Sequence, residues 1–319
     1  MRDLRRTLAS IVLFAPLAGC VGGPGCPTPH RTDDTLAIDE SDSVLAPLLA
    51  DCEQAQSCEP LCSELFMRVY GTSRVRFDTC ELVARPDDTL AAHVVTETLC
   101  VGGRRPGNYR PGVPPATCNA VAAYLARQAD LEAASVRAFA DLYADLVELG
   151  APAAMRRAAI RAAADEVRHA AMSMRLAKRF GATVSPRQIR AAPRRDLRAL
   201  VLDNAVEGCV RETYGAAVAG YQARTARDPI VRRAMYRIAR DEAKHALLSW
   251  QLHRWAAPRL GDRDAVLAAA STARAELSAE ANIAQPELHG VLGVPAPAAA
   301  TAMLAELDAR VWSPLAWRS

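Results

Sequence analysis

RAAADEVRHA (161–170) and RIARDEAKHA (237–246) repeat one pattern, Asp-Glu-x-basic-His, within Ala-rich runs. In each, Glu and His stand three apart, so on a helix both side chains leave the same face. The two pairs are Glu166 with His169 and Glu242 with His245. Ala, Leu and Arg dominate the chain beyond Pro115, and such good helix formers predict long helices on either side of both motifs.

Punctuation divides these runs. A first helix is expected over 117–148, ended by Gly150, with Pro152 opening a second over 152–180 that stops at Gly181. A third spans 194–225. Asp228 is a candidate N-cap before Pro229, which opens a fourth over 229–258. Further helices are expected over 264–281 and 297–310. Four long helices, two pairs of them joined by short turns, read as a bundle.

Depth in such a bundle can be tested. Folding helix one back on helix two sets Glu132 level with Glu166 and His169, because the midpoint of 132 and 166 is 149, at the turn. Folding helix three on helix four sets Glu207 level with Glu242, with a midpoint between 224 and 225, just before ARDP (226–229). Glu212 lies five residues past Glu207, about 140° round an α-helix, and reads as a surface residue. Four carboxylates and two imidazoles then share one slice. Four buried acids repel and are costly to desolvate. Two divalent cations offset that charge, and a hard oxygen and imidazole set suits iron or manganese. Zinc would bind without supplying redox chemistry.

The set E…ExxH…E…ExxH resembles the ferritin-like superfamily, and DExRH and DExKH resemble its diiron monooxygenase and rubrerythrin-like branches. The resemblance covers about 117–258. It implies a mainly α fold, an antiparallel four-helix bundle, with Glu132, Glu166, His169, Glu207, Glu242 and His245 as metal ligands. It further implies two Fe ions, or alternatively two Mn ions or a mixed Mn/Fe pair, and redox chemistry on O₂ or peroxide. A redox partner protein could supply electrons. Rubrerythrin's CxxC…CxxC unit is absent from the sequence, and Ile238 stands where some amine N-oxygenases add a histidine. A lipid anchor and an extra cysteine unit fit a ferritin storage shell badly. The alternatives are a metal-sequestering or metal-sensing envelope lipoprotein without catalysis and a purely structural, interaction-bearing lipoprotein.

Around the ligands, Asp165 and Asp241 each precede a motif histidine by four and could accept an imidazole N–H, directly or from the neighbouring helix. Tyr214, seven after Glu207, is expected on the same face, lining an oxygen pocket, donating to a ligand carboxylate or packed in the core. Cys209 reads as a small buried hydrophobe.

Ahead of the bundle, MRDLRR is a basic stretch and TLASIVLFAPLA an apolar one too short for a lasting span. LAGC (17–20) resembles the bacterial lipobox, which implies removal of 1–19 and lipidation of Cys20. That places the protein at the cell envelope, anchored by acyl chains on the periplasmic or outer side of a bacterial membrane. Residues 20–50 are expected to be a tether and 51–115 a small cysteine-rich α+β region. The bundle follows over 116–260 and a C-terminal helical extension over 261–319. Clustered cysteines in an exported chain read as a disulfide framework, with Cys52, Cys58, Cys62, Cys80, Cys100 and Cys118 as candidates for three bridges. The formal net charge is only +3 and the basic residues are spread among acids, so no nucleic-acid surface is expected. The denser run RQIRAAPRRDLR (187–198) reads as a solvated loop and first helical turn.

Overall fold

The computed structural model describes residues 31–54, 58–70, 75–86, 89–98, 104–106, 109, 119–184, 189–281, 286–312 and 317. The protein is mainly helical with a small three-stranded antiparallel sheet. Thr28–Leu99 form one compact unit, and the helices beyond residue 119 belong to a second. Among the described residues, no helix is long and apolar enough to cross a membrane.

In the smaller unit, strands β1 (Arg31–Ala37), β2 (Val75–Ala84) and β3 (Leu90–Thr98) lie in the order β1-β3-β2, antiparallel throughout. Helices α1 (Leu45–Gln54) and α2 (Glu59–Tyr70) share with the sheet a core of Leu36, Leu45, Leu49, Leu61, Leu65 and Val94. Asp42 caps α1 by accepting from the Val44 and Leu45 amides. Disulfides join Cys52 to Cys58 and Cys62 to Cys80, the second tying α2 to β2. A 72-residue unit has little apolar surface to bury, and cross-links that restrict its unfolded chain compensate. The expected tether is shorter than its sequence range, because β1 and α1 already belong to this unit before residue 51. Alternation in RTDDTLA is too polar to signal a strand; pairing with β3 creates it. Cys20, Cys100, Cys118 and the signal segment lie outside the described residues.

The larger unit runs α3 (Ala120–Glu148), α4 (Ala153–Arg179), α5 (Leu197–Asp203), a π-helical segment (Asn204–Glu212), α6 (Thr213–Thr225), α7 (Pro229–Leu260), α8 (Arg263–Ala281), α9 (Pro286–Val291) and α10 (Pro297–Arg310). α3 packs along α4, α6 along α7, and α4 against α7. The turns follow the sequence signals. Gly150, at φ 68°, ends α3 with its successor's amide bonded back to the Leu146 carbonyl at 2.8 Å. Asp228 caps α7 by accepting from Ile230 and Val231 at 2.8 and 3.0 Å, with Pro229 in the first turn. The run read as a solvated loop does more than that: Arg194 and Arg195 reach Asp145, and Arg195 also pairs with Asp203.

Two apolar clusters fill the interior. One gathers Phe139, Leu142, Leu146, Leu200, Leu248 and Leu252; the other gathers Tyr124, Leu125, Leu176, Val231, Met235 and Leu292. On α3, α4 and α7, the motif acids and histidines fall between the stretches that feed these clusters.

Gly208 marks a close approach of the π-helical segment to α7. A Cβ there would lie 2.6 Å from both Asn204 Oδ1 and Ser249 Oγ. Gly208→Ala is expected to cost about 1–3 kcal/mol, read as a lowered denaturation midpoint at unchanged m-value. Asp228→Ala should cost about 1 kcal/mol through the lost cap. Burial opposes the Asp228 charge, but the Val231 amide, Arg179 and the Ile230 amide hold its pKa below the ordinary value. The stabilisation is therefore complete above the unfolded carboxyl's pKa of about 3.9 and is lost as pH falls through the lower folded value. Urea titrations of both proteins should converge only in that acid range.

Candidate metal centre

Six side chains from three helices and the π-helical segment meet in the polar layer. α3 supplies Glu132, α4 Glu166 and His169, the π-helical segment Glu212, and α7 Glu242 and His245. Burial is nearly complete: Glu166, His169 and Glu212 are 0% exposed, and Glu132, the most open, is 7%. Ligand-type atoms of Glu132, Glu166, His169 and Glu242 lie within 4.8 Å of one another, as do those of Glu212, Glu242 and His245. Glu242 belongs to both groups. Glu166 also faces both imidazoles, with His245 Nδ1 at 3.0 Å and His169 Nδ1 at 3.5 Å.

The donor set fits a hard divalent cation. Both oxygens of Glu166, Glu212 and Glu242, and Nδ1 of both histidines, are buried without a hydrogen-bond partner. Native proteins leave few such groups unpaired, because each costs its full desolvation. A cluster of oxygens and imidazole nitrogens aimed at one another is satisfied by a cation at its centre. This buried Glu/His cluster could hold a metal ion.

Proton positions follow from the same geometry. Burial, then Glu166, push the Glu132 carboxyl well above its usual pKa; burial, then Glu242, do the same to Glu212. Burial also opposes charge on Glu166 and Glu242, yet the neighbouring histidines hold both below the ordinary value. Burial disfavours imidazolium, but the acids outweigh it and raise both His169 and His245.

The aspartates of the motif act crosswise. His245 Nε2 on α7 lies 3.4 Å from Asp165 on α4, and His169 Nε2 on α4 lies 3.5 Å from Asp241 on α7. Arg168 and Lys244 pair with Asp165 and Asp241 in turn. The His245 Nε2 contact is a hydrogen bond and the His169 Nε2 contact an ion-pair approach only, and in both rings Nδ1 is directed at the glutamates. Phe139 packs on His245 with ring centroids 4.9 Å apart. Tyr214 is buried among apolar residues; burial, and then Glu280, raise its phenol pKa. Of its expected roles, core packing is the one the structure supports.

Glu207 is not in the cluster, and Glu212 takes the position expected for it. Glu207 instead accepts from the Arg105 amide at 3.3 Å, with the Arg105 guanidinium 3.5 Å away. Two physical facts explain the difference. The connection from α6 to α7 is centred on Arg227, which is midway between 212 and 242; the 224–225 pivot assumed for Glu207 is still helical. And the segment 204–212 is π-helical, where i→i+5 bonding nearly aligns residues that an α-helix would set about 140° apart. Glu212 is therefore interior, not on the surface. The signal that could have found it was Asp228-Pro229, which dates the α7 start and so moves the pivot.

Two openings adjoin the centre. A cavity of about 30 Å³ between Tyr124, Gln128, Glu132, Ser173, Gln222 and Glu242 has room for only a few water-sized molecules. On the outer side, a groove between α4 and α7 reaches Asp165 and His245 past Arg161, Arg168 and Lys244. Searches against protein-family models, curated proteins and solved structures find no match to the chain.

Glu212→Gln should lower bound divalent metal, measured by mass spectrometry after dialysis against iron(II) or manganese(II), while Glu207→Gln leaves it unchanged. Asp165→Asn or Asp241→Asn should weaken metal affinity about 10–100-fold. The raised pKa values of Glu132, Glu212, His169 and His245 mean that metal displaces protons. Apparent affinity should fall as pH drops, and calorimetry in buffers of different ionisation enthalpy should register proton release.

Proposed function

We propose that this chain is a carboxylate-bridged dinuclear iron or manganese protein of the ferritin-like type, built on an antiparallel four-helix bundle, and an oxidoreductase acting on O₂ or peroxide. One observation carries the reading: four buried glutamates and two buried histidines face one another with most of their ligand atoms lacking a hydrogen-bond partner, and Glu242 belongs to both groups. Two divalent ions would balance four carboxylates. His169 and Glu132 would hold one ion and His245 and Glu212 the other, with Glu166 and Glu242 within reach of both groups.

When bound, such a pair supplies electrons and Lewis acidity to a small oxidant. The chain's own residues would do the rest. The apolar clusters flank the centre on either side, and Asp165 would orient the His245 ring by accepting from Nε2, with Asp241 placed to do the same for His169. The small cavity beside Glu132 and Glu242 would admit O₂ or peroxide. Gln128 and Ser173 line it and could orient a polar guest.

The reading extends to location. The basic stretch, the apolar stretch and LAGC (17–20) support export and lipidation at Cys20, and two disulfides fit an oxidising compartment.

Anaerobic loading with iron(II) followed by O₂ or peroxide tests the function. Two ions per chain and oxidant consumption above that of free iron are expected, with both lost in Glu166→Ala and Glu242→Ala. Bound metal without turnover would leave sequestration as the role, and a wild-type protein without metal would overturn the reading. Palmitate labelling that is abolished in Cys20→Ala is expected; unchanged labelling would remove the anchor.

A further inference from the structure

The π-helical segment has little in its own sequence to demand that form. NAVEGCVRE would continue an α-helix, and π geometry is rare because its bonding is less favourable. Something outside the segment must hold it, and the contacts on its two sides differ.

We propose that the C-terminal extension, through Trp312 and the α8 acids Glu276 and Glu280, is a positioning device that keeps residues 204–212 π-helical and so aims Glu212 at His245. The inference rests on the metal-centre reading above.

Three observations support it. First, at the junction with α6 the Thr213 amide donates to the Val210 carbonyl, not to the Cys209 carbonyl it would meet in an α-helix. The Cys209 carbonyl instead accepts from the Trp312 indole at 2.9 Å, and Trp312 is 1% exposed. The indole therefore ties to the C-terminal tail the carbonyl that an α-helical Thr213 amide would meet. Second, Arg211, the residue before Glu212, is 2% exposed and donates to Glu276 at 2.5 Å, with Glu280 3.5 Å away. A change of register that turns Glu212 away also turns Arg211 away, stranding two acids in the interior. Third, the start of the segment is fixed from elsewhere. Asn204 donates to the Ser249 carbonyl at 2.9 Å, and Arg104 donates to Asp203 and Asn204 at 2.8 and 3.3 Å.

With its start fixed, a segment that relaxed to α geometry would leave Glu207 at Arg105 and swing Glu212 off the centre. Trp312 and Arg211 act at the end that would move. They touch the register, not the metal, so their loss should resemble loss of Glu212 alone.

Stepwise cobalt(II) binding to the intact folded chain tests this, read by visible absorbance and by metal content. Trp312→Phe keeps an aromatic ring but removes the donor; Glu276→Gln removes the charge facing Arg211. Trp317→Phe is the control, since it removes an indole bond to the Trp312 carbonyl in the same tail without touching the segment. Trp312→Phe and Glu276→Gln, together if not singly, should weaken the second ion at least tenfold and leave the first unchanged, matching Glu212→Gln. Adding Glu212→Gln to the double variant should cause no further loss. Unchanged binding of both ions, equal weakening by Trp317→Phe, or joint loss of both ions would overturn the proposal. If Trp312→Phe does not fold, Glu276→Gln carries the same comparison. A wild-type chain that binds no cobalt would instead defeat the metal-centre reading and not this one.

Discussion

Mutual repulsion among Glu132, Glu166, Glu212 and Glu242 is the constraint on which the larger unit turns. Carboxylates that share a dry layer cannot all be charged unless cations stand among them. His169 and His245 supply at most two positive charges, and they are placed so that Nδ1, not Nε2, faces the acids. The crosswise contacts to Asp165 and Asp241 spend the outward nitrogens on α4 and α7, which locks those two helices in relative register at the same depth. A binding requirement and a packing requirement are thus met by one set of bonds.

The apolar clusters make the layer expensive and also useful. Leu and Phe side chains above it and Leu, Val and Met side chains below it supply the burial energy that the layer itself forgoes. They also keep the local dielectric low, which would strengthen any carboxylate–cation contact made there. The layer tolerates its own instability because each helix continues well beyond it in both directions.

Much of this was legible in the residues, and the parts that were not have identifiable causes. ExxH at three-residue spacing placed Glu166 with His169 and Glu242 with His245, and Gly150 gave a turn about which Glu132 comes level with them. The aspartates were legible as imidazole partners, though not their crossing between helices, which depends on how α4 meets α7. Glu212 was missed because an α-helical phase was carried through residues that are π-helical, and the contacts that hold that departure come from Trp312, Glu276 and Ser249 in distant parts of the chain. β1 was missed for a similar reason, since its polar residues become a strand only beside β3. Local rules serve while local forces decide, and they fail where a contact from far along the sequence overrides them.

The remaining buried acids show why the four are distinctive. Glu207 faces Arg105, Asp203 faces Arg104 and Arg195, Asp145 faces Arg194 and Arg195, and Glu276 and Glu280 face Arg211. Each is compensated by a guanidinium, whose charge is permanent and whose planar fork matches a carboxylate. Among the described residues, Glu132, Glu166, Glu212 and Glu242 have histidine as their only basic side-chain partner. An arginine in that layer would close it permanently. Imidazole instead gives up its proton readily, so the same atoms can hold a proton or a metal. Among the described residues no arginine pairs with these four acids, which separates acids that hold the fold from acids that could hold a cation.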